Sequence, residues 1–375
     1  MKLMHLADFH LDSAFSGFSK EAADERRNQL RDCFVRALEI ARERGVELVL
    51  IAGDLFDTPF CSTSTRGAVF EAINKLGCPV VIAPGNHDHY SRNGIYADKN
   101  LPENAFVFTS SELGRFDFDE LGVSVIGYGF TSDRYESNPL SAEVPTSSEN
   151  INILCAHTEL GTGFSKYAPI SANAIARCGF SYAALGHVHI PSAPFTAGNT
   201  LIAYTGFPQG RSFDELGEGG AYIVEIDKET KKAEICERVV LSSFTYEIEK
   251  VDITALSSDD DVVREIEKVI SSRGYGKNTA LRVLLMGAVP SDYAIDEERL
   301  ASTPLAEGLG LLQVKNHTVA NFDLEYLKTD ITIKGELYRQ LLPALESADE
   351  NERREASLAL KFALAALDKR EFGVE

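Results

Sequence analysis

The segment from residue 46 to residue 57 reads VELVLIAGDLFD and gives the first indication of the fold class. Its first half, Val46–Ala52, is an apolar run of the kind found in strands that are buried on both faces. Its second half, Gly53-Asp54-Leu55-Phe56-Asp57, places a glycine and two carboxylates directly after that strand. A buried strand that ends in this way predicts a layered α/β domain whose polar side chains collect in loops at the strand ends.

The same alternation of apolar runs and helical patterns continues up to about residue 240. Two segments repeat apolar residues at helical spacing, Glu21–Arg44 and Thr65–Leu76, and each stops before a glycine. We therefore expect an α/β (α+β layered) domain over residues 1–240. Its predicted strands are Lys2–Ala7, Val46–Ala52, Pro79–Ala83, Val123–Tyr128, Ile151–Ala156, Leu201–Tyr204 and Ala221–Ile226.

After Leu241 the pattern changes to that of a small α/β accessory domain, which we place at residues 245–330. It has a strand-like TYEIEKV, a helix that opens on the acidic run Ser258–Asp261, and a strand at Ala280–Met286.

The tail, residues 331–375, predicts a short helix at Lys334–Leu342 and a longer one from Asp349 to about Arg370. An apolar stripe on the longer helix would serve either to dock a partner protein or to pack within the chain. The stripe consists of Leu360, Ala363, Leu364 and Leu367.

Composition is that of a soluble globular protein, with 44% hydrophobic and 25% charged residues. The amino terminus lacks the pattern of a secretory signal, and no stretch reaches the ~18 apolar residues of a spanning helix, so we expect a cytoplasmic protein that does not enter the membrane. The six cysteines form no CxxC pair, which favours reduced, buried thiols. A net charge of −20 is unusual for a protein that binds nucleic acid alone, so any binding of a long polyanion should be weak or shared with a partner.

Histidine, aspartate and asparagine side chains gather at the predicted strand ends, where loops can bring distant residues together. Five of the eight histidines lie in these segments, and three of the segments carry a glycine that permits close backbone approach. This clustering indicates a metal site. The segments are Asp8-Phe9-His10, Gly53–Asp57, Gly85-Asn86-His87-Asp88, His157, and Gly186-His187-Val188-His189.

Taken in order, Asp-x-His, Gly-Asp-x-x-Asp, Gly-Asn-His-Asp, a lone His and Gly-His-x-His resemble the calcineurin-like metallophosphoesterase superfamily. The resemblance implies a β-sandwich flanked by helices and a centre of two divalent ions. Imidazole and oxygen ligands suit Mn²⁺, our expectation, or Fe or Zn, far better than Ca²⁺. The resemblance assigns Asp8, His10 and His189 to one metal, Asn86, His157 and His187 to the other, and Asp54 as the bridge between them.

The resemblance also implies catalytic residues that do not bind metal. In this superfamily the histidine of Gly-Asn-His-Asp contacts the scissile phosphate or protonates the leaving oxygen, a role that falls to His87. We expect Asp57 to orient it, because a carboxylate fixes an imidazole tautomer; the alternative is a carboxylate that caps its loop. Asp88 is expected to be structural, and His5 and His89 to pack near the site.

Five longer segments narrow the resemblance to the SbcD/YhaO group of DNA repair exonucleases. The most discriminating is YTGFPQGRSFDELGEGGAYIVEI at 204–226, which contains Arg211, a candidate for substrate binding. Ile190 stands where related nucleases often carry a basic residue, which weakens the case for a phosphate contact there. The other segments are MKLMHLADFHLDSAF, LVLIAGDLFDT, VIAPGNHDHY and YAALGHVHIP.

This narrower resemblance implies a DNA exonuclease or endonuclease that forms a homodimer and works with an SMC-like coiled-coil ATPase of the SbcC/YhaN type. The helices Glu21–Arg44 and Thr65–Leu76 are the candidates for the dimer interface. The ATPase could supply the basic surface that this chain lacks. Two alternatives stay open at this point: a small-molecule or nucleotide phosphodiesterase, and a non-catalytic scaffold for an ATPase.

Overall fold

The computed structural model describes residues 1–16, 18–141, 144–161, 163–290, 293–321 and 324–367. The chain divides into two compact units, Met1–Thr245 and Tyr246–Glu375. No helix in the described ranges is long and apolar enough to cross a membrane.

The first unit contains twelve strands and three α-helices in its described residues. The helices are α1 Lys20–Glu43, α2 Thr63–Leu76 and α3 Ala172–Arg177, with short 3₁₀ turns at Ile95–Ala97 and Pro139–Ser141. The strands are β1 Lys2–Leu6, β2 Leu48–Ile51, β3 Val80–Ile82, β4 Ala105–Val107, β5 Gly114–Phe118, β6 Val123–Gly127, β7 Ile151–His157, β8 Tyr182–Gly186, β9 Phe195–Ala197, β10 Thr200–Tyr204, β11 Gly220–Ile226 and β12 Ala233–Val240.

These strands form two six-stranded sheets, in the orders β12-β11-β1-β2-β3-β4 and β5-β6-β7-β8-β10-β9. In the first sheet β1 to β4 run parallel, and in the second β6, β7, β8 and β10 do. Parallel strands end at the same edge of a sheet. The segments after β1, β2, β3, β7 and β8, which carry the predicted metal ligands, are thereby collected at strand ends.

The two sheets pack face to face, with Leu50 and Val81 of one against Val125 and Ile153 of the other. The outer face of the first sheet is covered by α1 and α2, and that of the second by α3 and its neighbouring loops. Each fully buried large apolar side chain contributes roughly 1.5–3 kcal/mol. The predicted β-sandwich flanked by helices is confirmed.

Local signals explain where the helices begin and end. The hydroxyl of Ser19 accepts a hydrogen bond from the backbone N–H of Ala22 and so caps α1, and Gly77 ends α2 in the left-handed conformation that glycine adopts without strain. The predicted strands and helices of this unit lie within two residues of the observed ones. We did not predict β4, β5, β9 or β12, and we expected β8 only as the segment before Gly186-His187-Val188-His189. Two of the strands that we missed are only three residues long, and β12 is an edge strand in which alternate residues are exposed.

The second unit is built around the three-stranded sheet β13-β14-β16, with a small pair β15-β17 beside it. The acidic run predicted to open a helix does so, since Ser258 caps α4. The elements are β13 Thr245–Asp252, α4 Asp259–Arg273, β14 Thr279–Met286, β15 Ala288–Pro290, α5 Glu297–Ala301, α6 Pro304–Glu307, β16 Leu311–Asn316, β17 Val319–Asn321, α7 Leu324–Thr329, α8 Ile333–Leu345 and α9 Glu350–Leu367.

The tail helices form their own small core. Leu360 and Leu364 of α9 are buried with Leu327 of α7 and Tyr338 of α8, so half of the predicted stripe packs within the chain. Leu367, the last residue of the stripe, is 42% exposed instead. The predicted end of the helix at Arg370 lies outside the described residues.

Candidate metal centre

The predicted ligands follow their strands in tight turns of left-handed backbone. Four of them have positive φ angles: Asp8 at 55°, His10 at 48°, Asp54 at 48° and His187 at 102°. Non-glycine residues rarely adopt this conformation, which costs of order 1–3 kcal/mol each and clusters at functional sites. The concentration of strain on these residues marks the strand ends as the site.

Three motif glycines leave room for the neighbouring segments to meet. A Cβ atom at Gly53 would lie 2.3 Å from His157 Nδ1, one at Gly85 would lie 2.2 Å from Asp54 Oδ1, and one at Gly186 would lie 1.9 Å from the carbonyl oxygen of Ala52. The glycines therefore stand before Asp54, Asn86 and His187 because any side chain there would push the strand ends apart.

One set of donors converges on a single point. Asp8, His10, Asp54 and His189 each offer an atom, and these atoms all lie within 4.8 Å of one another. His10 Nε2 is 3.2 Å from His189 Nε2 and 3.6 Å from Asp54 Oδ2. Two imidazoles and two carboxylates at these distances fit a divalent transition metal.

His157 belongs to a second set, together with Asn86 and Asp54. Its Nδ1 lies 3.2 Å from the carbonyl oxygen of Ala52, while its Nε2 lies 3.0 Å from Asn86 Oδ1 and 3.4 Å from Asp54 Oδ2. A neutral imidazole has one N–H, so it can satisfy acceptors on one side only. Burial lowers the pKa of His157, which disfavours a second proton. A cation among Nε2 and the two oxygens would resolve the conflict.

His187 lies beside this second set. Its ring centroid is 5.1 Å from that of His157 and 4.4 Å from that of Tyr167, and its backbone N–H donates to the carboxylate of Asp8 at 3.1 Å. Asp54 lies between the two sets, since its Oδ2 is within 3.6 Å of both His10 and His157. The structure thus brings ligand atoms of six predicted ligands into two overlapping sets and places His187 beside them through ring and backbone contacts.

The electrostatics of the centre suit metal binding. Burial lowers the pKa of His10 to about 4 and that of His187 to about 3, so both imidazoles are neutral and offer lone pairs at pH 7. Burial raises the pKa of Asp8 to about 8, a cost of desolvation that a bound cation would offset. Burial also raises the pKa of Asp54, but His157 and His10 outweigh it and hold the pKa at about 2.

His87 and Asp57 lie beside the first set. The side chain of His87 is 47% exposed, and its ring centroid is 4.6 Å from that of His10. Its Nδ1 is 3.3 Å from the backbone oxygen of Asp57 and 3.9 Å from the Asp57 carboxylate. That carboxylate lies closer to His10, at 3.3 Å from Nδ1. Asp57 is therefore better placed to orient the predicted ligand His10 than the candidate acid His87.

The other candidates have structural surroundings. Asp88 is buried and accepts from the backbone N–H groups of Asp54, Leu55 and Gly85, so it holds two strand-end loops together, in line with its expected role. His5 Nδ1 lies 2.8 Å from the hydroxyl of Tyr182 in the core. His89 Nδ1 lies 3.3 Å from the carbonyl oxygen of Asn86.

Sequence reasoning missed Glu215. This carboxylate is buried and lies 2.8 Å from His189 Nδ1, and it also pairs with Arg211, the residue expected to bind substrate. The signal was present in the discriminating segment, where Glu215 follows Arg211 by four residues in RSFDE. Its partner His189 belongs to a different motif, 26 residues earlier in the sequence, so the pairing is seen only in the folded structure.

Comparison with known proteins gives a consistent picture. The calcineurin-like phosphoesterase family model matches residues 1–191. The uncharacterized metallophosphoesterase YhaO of Bacillus subtilis is 27% identical over 302 residues, which cover 77% of this chain and 72% of that protein. The SbcD component of the nuclease SbcCD of Staphylococcus epidermidis is 25% identical over 304 residues, covering 73% and 77%. The DNA double-strand break repair protein Mre11 of Methanopyrus kandleri is 26% identical over 251 residues, covering 61% and 54%.

Proposed function

Because this chain belongs to the calcineurin-like phosphoesterase family, we propose that it is a two-metal phosphodiesterase that cleaves DNA, an exonuclease or endonuclease of the SbcD/YhaO type. The observation that carries the proposal is the contact of His157 Nε2 with Asn86 Oδ1 at 3.0 Å, beside Asp54. His157 Nε2, Asn86 Oδ1 and Asp54 Oδ2 are all lone-pair donors when Nδ1 of His157 carries the proton, and a cation between them would remove their mutual repulsion.

In this proposal Asp8, His10 and His189 hold one ion, Asn86, His157 and His187 hold the other, and Asp54 bridges them. The ions, Mn²⁺ with Fe or Zn as alternatives, would polarise the phosphate and lower the pKa of a water. His87, exposed beside this centre, donates a proton to the leaving oxygen. Asp57 keeps the imidazole of His10 in place.

DNA is proposed as the substrate because two relatives are named a nuclease and a break repair protein. The net charge of −20 argues that the grip on DNA is shared, and an SMC-like coiled-coil ATPase of the SbcC/YhaN type is the proposed partner. Residues 1–240 would then be the nuclease domain, residues 245–330 an accessory domain and residues 331–375 the docking segment. Leu358 and Phe362 on the exposed side of α9 are candidates for the docking contact.

A homodimer through α1 and α2 is also part of the proposal. Between these helices lies a shallow groove of about 200 Å³, lined by Val35, Leu38 and Leu76 together with charged residues such as Arg42 and Glu71. Light scattering at micromolar concentration tests the homodimer, and a monomeric mass would contradict it.

The decisive experiment compares two substrates with Mn²⁺: an end-labelled DNA duplex and a chromogenic small phosphodiester, each with and without the ATPase. We expect cleavage of DNA that the ATPase and ATP increase, and no cleavage by an Asp54→Ala variant. Hydrolysis of the small ester alone would favour a small-molecule phosphodiesterase. If neither substrate were cleaved and the chain still bound the ATPase, the non-catalytic scaffold would be the supported alternative.

A further inference from the structure

Two carboxylates stand behind the histidines of one metal set. Glu215 Oε1 lies 2.8 Å from His189 Nδ1, and Asp57 Oδ1 lies 3.3 Å from His10 Nδ1. The Nε2 atoms of the same two imidazoles face each other at 3.2 Å. A carboxylate that accepts the Nδ1–H of an imidazole fixes its tautomer and leaves Nε2 as the lone-pair donor. The hydrogen bond to Glu215 orients His189 in this way, and Asp57 lies behind His10 at ion-pair distance, where His10 Nδ1 has no hydrogen-bond partner in the described structure.

Arg211 joins the two carboxylates. Its backbone N–H donates to Glu215 Oε2 at 2.8 Å, its Nε lies 3.2 Å from both oxygens of Glu215, and its Nη2 pairs with Oε1. Its Nη1 lies 3.7 Å from Asp57 Oδ1 and 3.4 Å from the hydroxyl of Ser13. The rigid fork of a guanidinium can engage two carboxylates at once, which an ammonium group cannot do with the same geometry.

The second metal set has a different support. His157 Nδ1 faces the neutral backbone carbonyl of Ala52 at 3.2 Å, not a carboxylate. In the described structure, carboxylates therefore contact the histidines of the first metal set, whereas His157 of the second set contacts a neutral carbonyl. A change in the carboxylates should affect one half of the centre more than the other.

We propose that Glu215, Asp57 and Arg211 form a clamp that positions His10 and His189, and that Arg211 acts on the metal half formed with Asp8 and not as a substrate contact alone. The clamp rests on the proposed two-metal function. In it Glu215 and Asp57 are positioning residues, since they touch the predicted ligands and not the reacting atoms. Arg211 holds the two carboxylates at a common spacing.

Titration calorimetry of the full chain with Mn²⁺ and no DNA tests the clamp. Glu215→Gln should weaken one of two binding events by roughly 10–100-fold and leave the other unchanged, as expected for loss of a partner behind a ligand. Asp57→Asn should weaken the same event. Glu218→Gln, the same change at an exposed residue of the same loop, is the matched control and should bind Mn²⁺ like the wild type.

Arg211→Lys keeps the charge and leaves both carboxylates intact, so it covers the case in which a change at buried Glu215 prevents folding. We expect it to weaken the same binding event. Unchanged Mn²⁺ binding with a raised KM for the phosphodiester would show that Arg211 is only a substrate contact, and would overturn the clamp. Glu215→Gln that folds and binds like the Glu218→Gln control would overturn it as well.

Imidazole ¹⁵N spectra of the metal-free protein at about pH 9, where free imidazoles are neutral, give an independent measure. His189 should carry its proton on Nδ1 in the wild type and lose that preference in Glu215→Gln. A wild-type His189 with its proton on Nε2 would contradict the proposal. Because neither measurement uses DNA, two Mn²⁺ events without DNA cleavage would defeat the proposed substrate and leave the clamp standing.

Discussion

The ring of His157 lies directly against the backbone of Gly53, so that a Cβ atom at Gly53 would be 2.3 Å from His157 Nδ1. Gly53 also has a φ of +92°, a conformation that side chains rarely adopt. The glycine of the Gly-Asp motif is thus required by a contact between two distant segments of the chain.

We expect Gly53→Ala to abolish binding of at least one metal ion, because the new methyl group must displace His157 from its place beside Asp54. Gly77→Ala is the matched control: Gly77 has a φ of +79°, but a Cβ atom there would have no neighbouring atom within 4 Å. The control should cost about 1–2 kcal/mol in stability and bind metal normally. Calorimetric Mn²⁺ titration and thermal unfolding separate the two effects, and normal metal binding by Gly53→Ala would contradict the prediction.

Metal content should reach about two ions per chain under saturating Mn²⁺, because the seven proposed ligands would form two positions that share Asp54. Asp54→Ala should lower the affinity of both positions together. Asp119→Ala, at an exposed aspartate, serves as the control. Elemental analysis that finds no more than one ion under excess metal would count against a two-metal centre.

His87→Ala should leave metal content intact and reduce turnover by roughly 10²–10⁴-fold, the usual worth of a general acid. The reason is its position: the side chain is exposed and lies beside the first metal set without being one of the predicted ligands. His317→Ala, an exposed histidine of the second unit, should have normal turnover. Loss of metal together with activity in His87→Ala would show that the assigned role is wrong.

His5 should make the metal-free protein sensitive to acid. Burial lowers its pKa from 6.5 to about 3, so between these values the unfolded chain binds more protons than the folded one. The free energy of unfolding therefore falls as pH falls from about 6.5 towards 3, and the contribution of His5 is complete above 6.5.

Denaturant unfolding of the wild type and of His5→Gln at pH 7.5 and at pH 5 measures this contribution. The wild type should lose more stability than the variant on acidification, since glutamine takes up no proton in this range. Both proteins keep the other buried histidines, whose contribution cancels in the comparison. An equal loss in the two proteins would contradict the prediction.

Substitutions at two leucines of α9 test whether the helix packs within the chain, docks a partner, or does both. Leu364 is 1% exposed within the small core of the tail, and Leu358 is 53% exposed. Leu364→Ala should destabilise the tail by roughly 2–5 kcal/mol, since it leaves a cavity. Leu358→Asp should leave the melting temperature unchanged and, if the exposed side docks the ATPase, prevent association in a pull-down. Retained association by a well-folded Leu358→Asp would argue against docking through this face.

The local features of the site could be predicted from the order of residues alone. The order of apolar runs and glycines predicted the strands, and their polar ends predicted that Asp8, Asp54 and His157 would meet. These signals are local, because the period of a strand and the backbone freedom of a glycine are properties of a few neighbouring residues. The two predicted α-helices that cover the first sheet followed for the same reason.

The pairing of the charged groups could not be predicted, because it depends on the folded arrangement of distant segments. The Asp57 carboxylate lies nearer to His10 than to His87, Glu215 supports His189, and Arg211 joins both carboxylates. Glu215 and His189 are 26 residues apart, and no local pattern relates them. A side chain chooses its partner by the geometry of the finished fold, where burial makes an unpaired charge costly and so enforces pairings that the order of residues does not contain.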